Sequence, residues 1–484
     1  MKIVITHSYF LRFDTKQWQI GRPYPPLGTL YAASSLIGAN HDVSFIDTMF
    51  YQSPGEIAAA LDPQPDLFVI YDDGFNYLTK MCLTNMRDAA FAMIGLAASP
   101  RTKVIVSSSD STDHYQQYLE AGADFILLGE GEATLLELVQ AIGTNRTDFS
   151  NIAGLAFKDN GYPIKTSKRS VIRNLDLLPL PAWSLLNVEP YKELWKKNAG
   201  YFSINVGTTR GCPYKCNWCA KPIYGNRYNA RTPANVLHEL KMLKDTFGLD
   251  HVWFCDDIFG LKPGWVEEFA DVVEDEKLKF RFKIQSRADL LANETYVKAL
   301  ARAGCEEVWM GAESGSQKIL DAMDKGIQVN QIKVATELLK ANNIKPCFFI
   351  QFGYLGETRD DIDLTIKMIN RLLPHEIGIS VSYPLPGTVF YEKVKTQLHK
   401  KSNWTDSDEM VLMFRNTYSP SYYKQLHRYV HKNYRKHLAI ENLRALVKTP
   451  LRATRKMTRK AFSFFYLLPA VYLSGLALRK LEKK

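Results

Sequence analysis

Cysteine is scarce in this chain, with 7 in 484 residues, and too unevenly placed for the disulfide framework of a small secreted protein. The N-terminus opens directly into Lys2-Ile3-Val4-Ile5-Thr6 and lacks the polar, apolar and small-residue zones of a signal peptide, so a reducing cytoplasm is expected. A uniform excess of positive charge is missing too. Residues 1–400 carry 43 Lys+Arg against 46 Asp+Glu, and 18 Lys+Arg against 5 Asp+Glu lie from Lys401 onward. The net charge of +10 therefore belongs to a tail, which argues against a nucleic-acid-binding body. What remains, 46% hydrophobic and 23% charged, is the composition of a globular protein of two or three domains.

Short apolar runs at 3–6, 43–47, 67–71, 104–107 and 125–128 alternate with helical patterns such as 28–37. Continuous apolar strands separated by helices predict a doubly wound parallel sheet over residues 1–145. Ligands of such sheets sit beyond the strands' carboxyl ends. Those ends here are polar or glycine-rich: Thr6-His7-Ser8, Asp72-Asp73-Gly74, Ser107-Ser108-Ser109-Asp110 and Gly129-Glu130-Gly131-Glu132. Residues 146–200, with Leu178-Pro179-Leu180-Pro181, read as a connector. A second series, with strands expected at 202–208, 251–255, 280–285, 307–310, 346–351 and 378–382, predicts a partial (β/α)6 barrel over 201–395 whose chemistry lies at the strands' C-terminal ends. In the helical extension 396–484, Tyr423, Leu426, Val430, Tyr434 and Leu438 recur at helical spacing, and a largely apolar segment, 461–478, sits between basic flanks with Pro469 inside it.

The sharpest signal follows the first strand of the second series: Arg210-Gly-Cys212-Pro-Tyr-Lys-Cys216-Asn-Trp-Cys219. Three thiolates at this spacing can converge on one centre, and soft thiolates suit zinc or iron–sulfur clusters. Structural zinc normally closes with four ligands, and the next candidates, His238 and Cys255, fall on an expected helix and a strand end. A 4Fe-4S cluster on three cysteines leaves one iron open. Cys255, Cys305 and Cys347 read as buried small apolar residues.

With CxxxCxxC and an aromatic, Trp218, just before the last cysteine, the chain resembles the radical S-adenosylmethionine superfamily. The resemblance continues through Trp253-Phe-Cys-Asp-Asp257, Gln285-Ser-Arg287, Gly311-Ala-Glu-Ser-Gly315, Gly353-Tyr-Leu-Gly-Glu-Thr358 and Pro384-Leu-Pro-Gly-Thr388. It implies metal ligation by Cys212, Cys216 and Cys219, with S-adenosylmethionine on the open iron, cleaved to a 5′-deoxyadenosyl radical by an electron from a donor such as flavodoxin or ferredoxin. By the same resemblance Trp218 flanks the adenine, and Glu313 and Arg287 contact the ribose or methionyl end. The residues alone leave another reading for each: Glu313 caps a helix starting near Ser316, and Arg287 forms a structural ion pair. Asp256 and Asp257 stand open between facing substrate and fixing a loop.

The domain ahead of this motif, with Pro25-Pro-Leu-Gly28-Thr29-Leu30 and Leu128-Gly-Glu-Gly-Glu132, is similar to the cobalamin-binding domain of cobalamin-dependent radical enzymes. That likeness implies cobalamin contacts from Gly28, Thr29, Ser107, Gly129, Glu130 and Gly131. The plain alternative is that these residues shape turns and caps. Asp-x-His-x-x-Gly, which supplies a cobalt histidine in other cobalamin domains, is absent, so His7 is not a candidate ligand. The methylthiotransferases of transfer RNA carry three further N-terminal cysteines, whereas this chain has only Cys82 there. The function implied is methyl transfer to an unactivated carbon of a small-molecule or lipid-like substrate. The alternatives are a cyclisation, ring contraction or oxidation on the same cofactors, and a non-catalytic cobalamin- or cluster-binding sensor. For the tail, three readings stand: peripheral membrane contact, a helix packed on the barrel, and a span.

Overall fold

The computed structural model describes residues 1–81, 83–219, 223–398, 403–409, 411–448 and 454–482; Cys82 lies outside them. Five strands, β1 (Lys2–Thr6), β2 (Asp42–Ile46), β3 (Leu67–Tyr71), β4 (Lys103–Ser107) and β5 (Phe125–Leu127), pair in parallel in the order β2-β1-β3-β4-β5. All of β3 is buried, as a strand covered on both faces requires.

The connector holds more structure than its sequence suggests. β6 (Leu155–Asp159) and β7 (Tyr162–Lys165) form an antiparallel hairpin that extends this sheet to seven strands. Asn160 and Gly161 both have positive φ, at 47° and 84°, the geometry of a two-residue hairpin turn. The Asn-Gly pair was the available signal. After it, the helix Glu189–Ala199 joins the two domains: its Tyr191 hydroxyl donates to Asp47 at 2.7 Å, and its Trp195 indole donates to the Pro23 carbonyl at 2.7 Å.

The second series follows the expected rhythm. After β8 (Ser203–Val206), the short pair β9 (Thr209–Arg210) and β10 (Asn229–Ala230) brackets the cysteine loop. Then come β11 (His251–Phe254), β12 (Arg281–Ser286), β13 (Cys305–Glu313), β14 (Lys345–Phe352) and β15 (Glu376–Val381), all parallel, in the order β15-β14-β13-β12-β11-β8. Six strands without closure leave an open side. One apolar core runs from Tyr31 and Phe75 of the first domain through Val206 and Trp253 into the barrel, so the interface is packed like an interior.

The helix Pro420–Lys448 buries Tyr422, Tyr423, Leu426, Val430 and Tyr434. Its Tyr434 hydroxyl lies 2.8 Å from the carbonyls of both Pro374 and His375. The apolar segment folds into the end of Arg455–Phe462 and the terminal helix Phe464–Glu482, which continues through Pro469.

Candidate functional site

The cysteine loop hangs from the carboxyl ends of β8 and β11. Asp256, just beyond β11, is buried and accepts from the backbone N–H of Thr208 at 2.7 Å and of Thr209 at 2.9 Å, and from the Thr208 hydroxyl. Asp256 thus fixes the loop's entry. Burial pushes its carboxyl up to about 6, against the pull of these hydrogen bonds. Gly211 follows with φ +83°, and a Cβ there would stand 2.1 Å from the Arg227 carbonyl oxygen, so only glycine fits.

Within the loop, Asn217 is the pin. Its backbone N–H donates to the Met323 carbonyl at 3.1 Å, and its side-chain amide donates to Ala322 at 2.8 Å and Asp324 at 2.7 Å. Its side-chain oxygen accepts from Tyr354 at 2.7 Å. With Asn217 held by the segment 322–324 and by Tyr354, Cys212, Cys216 and Cys219 stand on one loop as free thiols. Among the described residues no three ligating side chains are already closed around a single point. The donor set nevertheless suits a cluster: three soft ligands, and no histidine or carboxylate among them. Desolvation raises the Cys212 thiol, with Asp257 and Cys216 adding to it, and a bound cation is what would favour the thiolates.

Around this loop gather the other expected contacts. The Trp218 indole N–H is buried and has no partner, an orphan donor at the loop's end. Glu313 ends β13 at a register shift and takes φ +55°, a conformation that costs a non-glycine residue energy and clusters at functional sites. It does not cap the helix beginning at Gln317: the N-cap residue there is Ser316, whose backbone N–H donates to Ser314 Oγ at 3.1 Å. Its carboxylate instead meets Lys325 Nζ at 2.9 Å, and that ammonium lies 5.7 Å from the Trp218 ring centre. Lys325 escaped the sequence reading because it stands 12 residues from Glu313 in a segment without a motif. Arg287 is paired with Asp289 at 3.0 Å, donates to the Lys325 carbonyl at 3.0 Å, and stacks 3.6 Å from the Tyr214 ring centre. The ion-pair reading of Arg287 thus describes its present contacts.

The first domain meets the loop through charge. Buried Arg210, two residues before Cys212, donates to Glu130 at 2.6 Å and Glu132 at 2.7 Å, with Tyr31, Phe75 and Tyr224 rings around the guanidinium. Lys80 reaches Asp257 across the same interface at 2.7 Å. The glycine-rich edge expected to face a cofactor is therefore partly spent on protein contacts. The second oxygen of Glu130 accepts from Ile172 N–H at 2.6 Å, so neither oxygen is without a protein donor. A Cβ at Gly28 would lie 3.1 Å from the backbone of Asp73 and Gly74, a tight fit on that side. The Thr29 hydroxyl donates to the Tyr71 carbonyl at 2.5 Å. A Cβ at Gly131 would meet Ser107 Oγ and the Tyr71 ring at 2.9 Å. Gly129 differs: φ is +78° and its nearest neighbour, the Ile223 carbonyl, would be 3.6 Å from a Cβ. His7 is buried against Asp47 at 2.9 Å.

Residues 206–369 match the Radical SAM superfamily. Over 467 residues the chain is 26% identical to an uncharacterized methyltransferase of Pyrococcus horikoshii, covering 94% of this chain and 91% of that protein. It is 27% identical over 325 residues to the anaerobic magnesium-protoporphyrin IX monomethyl ester cyclase of Synechocystis, covering 66% of this chain and 63% of the cyclase. Among solved structures it shares the fold of the cobalamin-dependent S-adenosylmethionine radical enzyme OxsB, with TM-score 0.72, 17% identity, and coverage of 98% of this chain and 72% of that one. It also shares the fold of the radical S-adenosylmethionine methyltransferase TsrM of Kitasatospora setae, with TM-score 0.65, 18% identity, and coverage of 81% and 77%. The three-cysteine loop at the barrel mouth and the domain docked on it by Arg210 are thus parts of one arrangement, in which residues 206–369 are a domain of the Radical SAM superfamily.

Proposed function

We propose that the protein is a cobalamin-dependent radical S-adenosylmethionine methyltransferase acting on an unactivated carbon of a small-molecule or lipid-like substrate. One observation carries this: the three-cysteine loop sits at the strand ends of the barrel, directly against the carboxyl edge of a doubly wound sheet. Cys212, Cys216 and Cys219 would hold the 4Fe-4S cluster. Trp218, with its unpaired indole N–H, and the Glu313–Lys325 pair would hold S-adenosylmethionine beside it. The corrin would sit beyond the carboxyl edge of the first sheet, near Gly129, where a Cβ would meet nothing closer than 3.6 Å. When bound, these cofactors supply a hydrogen-abstracting radical and a methyl group. The protein's own work is positional. Asp256 and Asn217 fix the loop, Arg210 holds the two domains together, and the shared apolar core excludes water from the interface. An electron donor of the flavodoxin or ferredoxin class is required to reduce the cluster.

The cyclase among the relatives favours one second reading, a cyclisation or oxidation on the same cofactors. Anaerobically reconstituted protein with hydroxocobalamin, S-adenosylmethionine and a reductant should bind about four irons per chain, the stoichiometry of one such cluster. It should also retain corrin after desalting and form 5′-deoxyadenosine and S-adenosylhomocysteine. A product heavier by one methylene supports methyl transfer, and an unmethylated product supports the second reading. Cys216→Ala should abolish deoxyadenosine formation; retained activity would overturn the cluster assignment.

A further inference from the structure

The terminal helix has two unlike faces. Leu467, Val471, Ser474 and Leu478 are buried, and the Gln425 amide of the long helix donates to the Ser474 hydroxyl at 2.9 Å and to its carbonyl at 3.0 Å. At the far end Glu482 pairs with Arg359 at 3.0 Å. The other face carries Phe465, Tyr466, Leu468, Tyr472, Leu473 and Leu476, all exposed, the aromatic three by 62–67%. By helical spacing this apolar stripe lies opposite the buried one, and Arg479 and Lys480 continue it. Exposed Arg455 and Arg459 flank its other end. Most other exposed large apolar side chains in the described residues are scattered singly, which is ordinary; this cluster is not.

Beside the helix opens a cavity of about 330 Å³ whose lining includes Arg435, Lys460, His431, Tyr434 and Tyr466, with Glu376 as its acidic member. Cations at an apolar edge, with aromatic rings between, complement a phosphate over an acyl layer.

We propose that this face seats the protein on an anionic lipid surface, with the terminal helix lying in the plane of the interface and lipid headgroup phosphates against Arg435 and Lys460. Among the described residues, Met457–Glu482, which joins the end of the helix Arg455–Phe462 to the terminal helix, is the one helical stretch long and apolar enough to cross a bilayer. Crossing would break the Gln425–Ser474 and Arg359–Glu482 contacts and pull the buried stripe from its partner helix. An in-plane seat keeps all of them.

The test is flotation of the full-length reconstituted protein with phosphatidylcholine vesicles, alone and with about 30 mol% phosphatidylglycerol. Binding should require the anionic lipid and fall in about 0.5 M salt. Phe465→Ser/Tyr472→Ser/Leu476→Ser, altering only exposed positions, should weaken it at least about tenfold while iron content and deoxyadenosine formation stay unchanged. Arg455→Glu/Arg459→Glu should weaken binding to anionic vesicles alone. Alkaline carbonate should release the protein from cell membranes. Failure to float, binding indifferent to the serine variant, or resistance to carbonate would each overturn the proposal. So would a dimer in solution that the serine variant converts to monomer without any vesicle binding, since a second copy would then occupy the face.

Discussion

Replacing Arg210 by methionine keeps the side chain's length while removing the guanidinium that faces Glu130 and Glu132 across the domain interface. Removing one partner of a buried ion pair costs about 3–5 kcal/mol, because the abandoned charge keeps its desolvation penalty. Two buried carboxylates are abandoned here, which places the expected loss near the upper end. The loss also has a pH signature. Glu130 already titrates above its ordinary range, with burial the largest cause and the Glu132 carboxylate next, while Arg210 pulls the other way. Without the guanidinium, Glu130 rises further. A carboxyl raised on folding destabilises the folded state in its ionised form, so the cost is complete above the folded pKa and disappears below the unfolded one. The deficit of Arg210→Met should therefore be largest near about pH 8. It should shrink toward about pH 5 by roughly 1.4 kcal/mol for each further unit by which Glu130 is raised. Urea unfolding of anaerobically purified protein across that range measures it, and proteolysis within residues 166–188 reports parting of the domains. Arg210→Met/Glu130→Gln/Glu132→Gln should recover most of the loss. A deficit below about 1 kcal/mol at the alkaline end, or one that grows on acidification, would refute the reasoning.

Gly211→Ala should prevent iron loading, since its Cβ would stand 2.1 Å from a backbone oxygen at φ +83°; a normal charge-transfer spectrum after reconstitution would count against this. Glu313→Gln, which unpairs Lys325, should raise the S-adenosylmethionine concentration for half-maximal cleavage about 10–100-fold, the worth of a hydrogen bond to a charged group, while iron content holds. Asp256 is raised from 3.8 to about 6 by burial. Its ionisation thus costs about 3 kcal/mol of stability, absent below the unfolded pKa and complete above about 6. Asp256→Asn should flatten that part of the pH–stability curve, which unfolding at about pH 4 and pH 7 reads directly.

The pattern of residues determined much of this protein without help. Eleven strands of the two parallel sheets were legible because buried parallel strands are short continuous apolar runs, and the cysteine loop because its three cysteines lie within eight residues. The hairpin β6–β7 was missed though Asn160-Gly161 announced it, since β7 is largely exposed and carries no apolar run. The basic amphipathic spacing marked the long helix, but whether the terminal helix packs depended on a surface that only folding creates.

Tertiary structure decided what spacing cannot express: which charges meet. Family resemblance implies a cofactor contact for Glu130, and only the fold shows that its carboxylate is held by Arg210, 80 residues away. Gly28 reads as room for a ligand, and only the fold shows that the side a Cβ would take is bounded by the backbone of Asp73 and Gly74. Lys325 had no motif, and burial beside Glu313 gives it one of the site's charges. Local periodicity and short-range ligand spacing are written along the chain. Desolvated charges must find partners wherever the fold brings them, and those partnerships exist only once the sheet edges are in contact.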